Sequence, residues 1–132
     1  MKANTAAVDF GLAASFAGFL NQTEISRAYV AADALVLPSD PGETWGLVVN
    51  EALASGLPAV VSAACGSAED LVVPLDPRLR FPLGDIEALA AAIRHLADHP
   101  VPAAAMAEHI ARYDFSVTVD TLETLWRTTV GS

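Results

Sequence analysis

The chain is poor in cysteine and in positive charge, and it has no long apolar run. Its single cysteine, Cys65, excludes an internal disulfide framework and fits a reducing compartment, with a buried small-residue role expected for the thiol. Seven Lys and Arg leave a formal net charge of -9, so neither a nucleic-acid-binding surface nor a patch for anionic membranes is expected. The opening residues MKANTAAVDFG lack a long apolar core, and no run reaches the roughly eighteen apolar residues of a transmembrane helix. These absences point to a cytoplasmic protein without a transmembrane segment. Internal repeats, a low-complexity linker, a Walker loop, G-x-G-x-x-G and a G-x-S-x-G elbow around Ser62 or Ser67 are also absent. The length of 132 residues suits one domain with a real core.

What is present is organised around Pro38 to Gly56, PSDPGETWGLVVNEALASG. A short apolar run, Ala34 to Leu37, reads as a strand covered on both faces and ended by Pro38. A glycine-bearing loop follows, then a helix from about Leu47 to Ser55, stopped by Gly56 with Pro58 just beyond. Ala59 to Ser62 is the next buried strand, so the stretch forms a βαβ unit. The first amides of such a helix are unpaired and point outward, which makes Gly46, Leu47 and Val48 candidates for holding a diphosphate. Glu51, one turn inside, has the chemistry to accept hydrogen bonds from a vicinal diol such as a ribose. Glu43, in the loop, is placed to reach hydroxyls on a group beyond the phosphates. Spacing alone leaves a second reading open, in which both glutamates are solvated surface charges.

On either side the chain alternates. Thr5 to Phe10 reads as the tail of a helix stopped by Gly11, and Ala14 to Phe19 as a short strand broken by Gly18. Thr23 is the expected cap of a helix over Glu24 to Ala32, with a buried stripe of Ile25, Ala28, Tyr29 and Ala32. Ser67 with Asp70 suggests a short capped turn, and Leu79 to Phe81 a further strand. Asp85 to His99 is the clearest helix, capped by Asp85 and with Ile86, Leu89, Ala90, Ile93 and Leu96 on its apolar face. Ala103 to Tyr113 and Val117 to Val130 read as two more, the last burying Leu122, Leu125 and Trp126. The alternation predicts an α/β fold with a Rossmann-like, mostly parallel sheet and helices on both faces. His95 and His99 have the spacing of two helical metal ligands. Leu96 stands where an HExxH site needs its Glu and no third ligand is evident, so no metal is expected and interaction with the helix C-terminus suffices.

The words around the two glutamates carry more. Phe16 to Gly18 gives F-x-G, Ala32 to Ser39 gives AD-x-x-V-x-PS, Glu43 to Glu51 is a pair separated by seven residues, and Glu51 to Pro58 gives EA-x-A-x-G-x-P. Taken together over about Leu12 to Asp85, they resemble the donor-binding, C-terminal half of family 4 retaining glycosyltransferases of the GT-B fold. The resemblance implies that Glu43 binds hydroxyls of the donor sugar as the catalytic-site glutamate and that Glu51 holds the ribose. It further implies that Thr44, Trp45, Gly46 and Leu47 touch sugar and diphosphate mainly through backbone groups, that Gly18 and Phe19 lie near the base, and that Ser39 lines the loop. The donor would be a UDP or GDP sugar, with no separate cofactor. By the same resemblance the acceptor half, the first strand of the donor half and its basic residues are missing. A fragment, inactive alone and self-associating to cover the gap, is therefore expected. A non-catalytic nucleotide-binding or protein-interaction module is the competing reading, and a fragment of a GT-B sugar epimerase a third.

Overall fold

The computed structural model of the chain describes residues 15–130, apart from the side chain of Gln22. The helix tail expected at Thr5 to Phe10 lies outside them. Helix α1, Gln22–Ala31, is capped by Asn21 and not by Thr23: Asn21 Oδ1 accepts from the amides of Thr23 and Glu24 at 3.0 and 3.1 Å. Glu24 Oε2 in turn accepts from the Asn21 amide at 3.1 Å, a reciprocal box that satisfies donors left unpaired at a helix start. Asn21 takes this role because its extended backbone faces the carboxamide onto the helix, while Thr23 is already helical. Of the stripe expected on α1, Tyr29 is buried and Ile25 half-buried, but Ala28 and Ala32 are exposed.

The strand expected over Ala14 to Phe19 does not form in its described part. Residues 15–20 have no regular structure, and Phe16 and Phe19 are exposed. Gly18, with φ +70°, turns the segment, and no described strand lies beside it to form a ladder.

The βαβ unit forms as read, except that its first strand is not covered on both faces, since Val36 at its centre is exposed. Strand β1, Leu35–Leu37, leads through the loop to α2, Leu47–Ala54, and on to β2, Ala59–Ser62. The α2 helix stops where Gly56 adopts φ +77° and the Leu57 amide turns back to the Ala52 carbonyl at 2.9 Å. Strand β2 pairs parallel with β1, Val36 opposite Val60, and parallel with the short β3, Arg80–Phe81, Val61 opposite Arg80. The sheet order is β1-β2-β3.

Successive strand side chains point to opposite faces, and all four β2 residues are buried, so the sheet is covered on both faces there. Helix α2 packs on β1 and β2, while α3, Ile86–Asp98, packs on β2 and β3. Asp85 caps α3 as expected, its Oδ1 accepting from the Ala88 amide at 2.9 Å. The buried side of α3 is rotated from the predicted stripe: Ala92 and Leu96 are buried, Leu89 half-buried, and Ile86 and Ile93 exposed. Val49 and Leu53 of α2, Val60 and Val61 of β2, and Met106 of α4, Ala103–Ile110, meet in the main core. Tyr29, Ala52 and Leu57 form a smaller cluster that ties α1 to α2.

Between β2 and β3 the chain makes a wide π-helical turn, Ala68–Val72. The Ser67 hydroxyl does not cap it but is buried beside Cys65 Sγ at 3.3 Å. A tight turn, Ala111–Tyr113, ends the α4 segment, and α5, Phe115–Val130, follows. The expected burial of Leu122, Leu125 and Trp126 is overturned: all are exposed, Trp126 by 68%. The apolar stripe is present on α5, but no described element covers it.

Candidate site at the mouth of helix α2

The loop between β1 and α2 is built by local bonds. Asp40 Oδ1 accepts from the Gly42 amide at 2.8 Å and the Asp40 carbonyl from the Glu43 amide at 3.0 Å, which curls the chain back toward α2. The Trp45 carbonyl accepts from the Ser67 amide and from Cys65 Sγ, both at 2.9 Å, so the loop after β2 holds the one before α2. This is the structural role expected of Cys65, which is buried. Gly46 sits at the helix start with φ +87°, where a Cβ would lie 2.7 Å from Cys65 Sγ. Trp45 Nε1 donates to Asn50 Oδ1 at 2.7 Å, turning the half-buried indole along the first turn of α2.

One expectation about this mouth is corrected. The Gly46 amide is not free, because it donates to Glu43 Oε1 at 3.1 Å. The carboxylate folds back onto the helix start, where the aligned backbone dipoles favour negative charge. The first helical bond runs from the Val49 amide to the Gly46 carbonyl at 2.9 Å, so Leu47 and Val48 remain the amides without an intrahelical acceptor.

Glu51 lies one turn further in and is exposed. Its Oε2 accepts from the Tyr29 hydroxyl at 2.8 Å, a contact across 22 residues of sequence. It lies between two clefts. One, of about 280 Å³, is lined by Ile25, Ser26, Tyr29, Glu51 and Ser55. The other, of about 410 Å³, runs from Asn50 and Glu51 to Ile110, Tyr113 and Phe115. Burial, the hydrogen bond to Glu51 and the charge of that carboxylate push the Tyr29 phenol up to about 12. Among the described residues no Lys or Arg lines either cleft.

The structure therefore gathers Glu43, Thr44, Trp45, Gly46, Leu47 and Glu51 around one helix start. Gly18, Phe19 and the half-buried Ser39 line neither Glu51 cleft, and Phe19 stands in solvent at 95% exposure. Sequence reasoning placed Tyr29 only in a core stripe and did not single out Asn50. The available signal was that Tyr29 alone in that stripe carries a hydroxyl.

The two histidines of α3 behave differently from each other. His99 Nδ1 donates to the His95 carbonyl at 3.3 Å, the expected helix-end role, and its ring stacks on His95 with centroids 4.5 Å apart. His95 Nε2 instead donates to Asp76 Oδ2 at 2.7 Å, and Arg78 Nε donates to Asp76 Oδ1 at 3.1 Å. Burial alone would raise the Asp76 carboxyl, but bonds from the Arg78 side chain and amide and from His95 hold it well below the usual carboxylate range. Among the described residues no three His, Cys, Asp or Glu side chains gather to hold a metal ion. No described helix is long and apolar enough to cross a membrane.

A sulfoquinovosyl transferase of Arabidopsis thaliana is 42% identical over 90 residues, which is 65% of this chain and 17% of that protein. A glycogen synthase of Mycobacterium tuberculosis is 40% identical over 96 residues, 69% of this chain and 22% of its own length. A GDP-mannose-dependent alpha-mannosyltransferase of the same organism is 40% identical over 84 residues, 63% and 22% of the two chains. The chain thus spans about a fifth of the length of these relatives. No solved structure matches it. Residues 2–113 match the glycosyl transferases group 1 family, and the chain belongs to that family.

Proposed function

We propose that the chain is the donor-binding, C-terminal part of a family 4 glycosyltransferase of the GT-B fold. The whole enzyme would move a sugar from a UDP or GDP sugar to an acceptor hydroxyl with retention, in the cytoplasm. The observation that supports this most is the pair of carboxylates on one helix start: Glu43 folded onto the Gly46 amide and Glu51 one turn in, beside two clefts. Glu51 holds the ribose diol. The diphosphate takes the amides of Leu47 and Val48, and its charge repels the Glu43 carboxylate from the adjacent Gly46 amide. Released, Glu43 turns to the hydroxyls of the sugar. The same amides stabilise charge developing on the departing diphosphate, as preorganised donors do. Gly18 and Phe19 lie toward the base, while Ser39, Thr44 and Trp45 shape the loop.

Calorimetric titration of the purified chain with UDP and GDP sugars tests the reading. Binding in the micromolar-to-millimolar range is expected, and Glu51→Ala should weaken it about tenfold or more, as for a lost hydrogen-bonded charge. In a longer polypeptide with transferase activity, Glu43→Ala should mainly lower kcat. No heat from either nucleotide sugar at millimolar concentration would point to a non-catalytic interaction module instead.

A further inference from the structure

We infer that Tyr29 is a positioning residue for the nucleotide ribose, acting through Glu51. The inference rests on the donor-site reading above. A carboxylate on an exposed helical Glu turns freely about its last torsion, and its oxygens then present no fixed direction to a ligand. Here one oxygen is held: the Tyr29 hydroxyl donates to Glu51 Oε2 at 2.8 Å.

The holder is itself fixed. Tyr29 is 8% exposed, and its ring packs with Ala52 and Leu57, with Ile25 and Leu35 against them. Helix α1 therefore carries a rigid hydroxyl to a flexible carboxylate on α2. Glu51 Oε1 has no protein partner among the described residues, so its acceptor capacity remains available to a ligand. A 2′,3′-diol read by such an anchored group meets one preset plane instead of a rotor, and less freedom is lost on binding.

The phenol suits the task because it stays a donor. Burial and the neighbouring carboxylate push its ionisation up to about 12, well above any working pH. A purely mechanical link between the helices would need only the ring, since the small cluster around Tyr29 is otherwise apolar.

The test compares wild type and Tyr29→Phe for binding of UDP and GDP and of their 2′,3′-dideoxy counterparts. Wild type should prefer the ribonucleotides. Tyr29→Phe should weaken ribonucleotide binding about three- to tenfold and leave the dideoxy ligands unchanged, and it should add nothing on top of Glu51→Gln. Equal weakening for both sugars, or no change for either, would show a merely structural tyrosine and overturn the inference. Wild type that binds none of the four overturns the donor-site reading and this inference with it, whereas binding without ribose preference overturns this inference alone.

A second measurement keeps the native contact. With 3-fluorotyrosine at both tyrosines and the Tyr29 fluorine resonance assigned by its loss in Tyr29→Phe, that resonance should shift on adding UDP and not on adding the dideoxy ligand. Identical shifts with both ligands would count against the role.

Discussion

Gly46 answers two demands at once. Its φ of +87° is a region that a Cβ disfavours, and a Cβ there would stand 2.7 Å from Cys65 Sγ and 3.0 Å from Leu37 Cδ2. Gly46→Ala should therefore destabilise the chain by about 1–3 kcal/mol, the usual cost of holding a non-glycine in such a conformation. Urea unfolding checks this, and a loss within about 0.5 kcal/mol, the range of neutral surface changes, would mean that the loop relaxes freely. At this scale the sequence was legible where chemistry is local: Glu43, Gly46 and Glu51 are near neighbours on one loop and helix. It was silent on Tyr29 because the hydroxyl's partner lies 22 residues away and an aromatic at helical spacing reads as core. It also misjudged the Gly46 amide, since the Glu43 side chain bends back onto the helix instead of reaching outward.

Elements were legible when their partners are near in sequence. The β1-α2-β2 unit and the Asp85 cap follow from local pattern, whereas the strand expected near Phe16 and the buried face of α5 each require a neighbour that no described residue supplies. The turn before β3 shows what a non-local partner contributes. Asp76 and His95 side chains are both 13% exposed, and their hydrogen bond, with the bonds from Arg78, ties the Pro77–Leu79 turn to α3. The Asp76 carboxyl is held below its unfolded value of about 3.9. A depressed carboxyl contributes stability that is present above the unfolded value and lost as pH falls through the folded one. Stability should thus drop as pH is lowered below about 4. Asp76→Asn should cost about 1–3 kcal/mol near neutrality and flatten that acid limb. Denaturation series from pH 7 to pH 2.5 check it, and parallel curves for the two proteins would remove Asp76 from the account.

For the whole molecule, charge decides how an anionic ligand is met. The net charge is -9, and among the described residues no Lys or Arg lines either cleft at Glu51. Arg78 and Arg80 are engaged by Asp76 and Glu69 on the far side of the sheet order from β1. A nucleoside diphosphate bound as proposed would thus be held by amides and hydroxyl contacts against a repulsive background, a different balance from sites where cationic side chains neutralise phosphate. Screening acts on the two cases with opposite sign. Between about 0.01 and 0.1 M salt the screening length falls from about 30 to about 10 Å, which removes long-range repulsion while leaving short hydrogen bonds intact. The affinity of this chain for UDP or GDP should therefore hold constant or rise up to about threefold over that range. A site lined with Lys or Arg would lose affinity over the same range as its attraction is screened. Calorimetry at fixed pH across this range reads the sign directly. A steep loss of affinity with salt would mean that basic groups beyond the described residues reach the diphosphate, and that the helix start is not its main anchor.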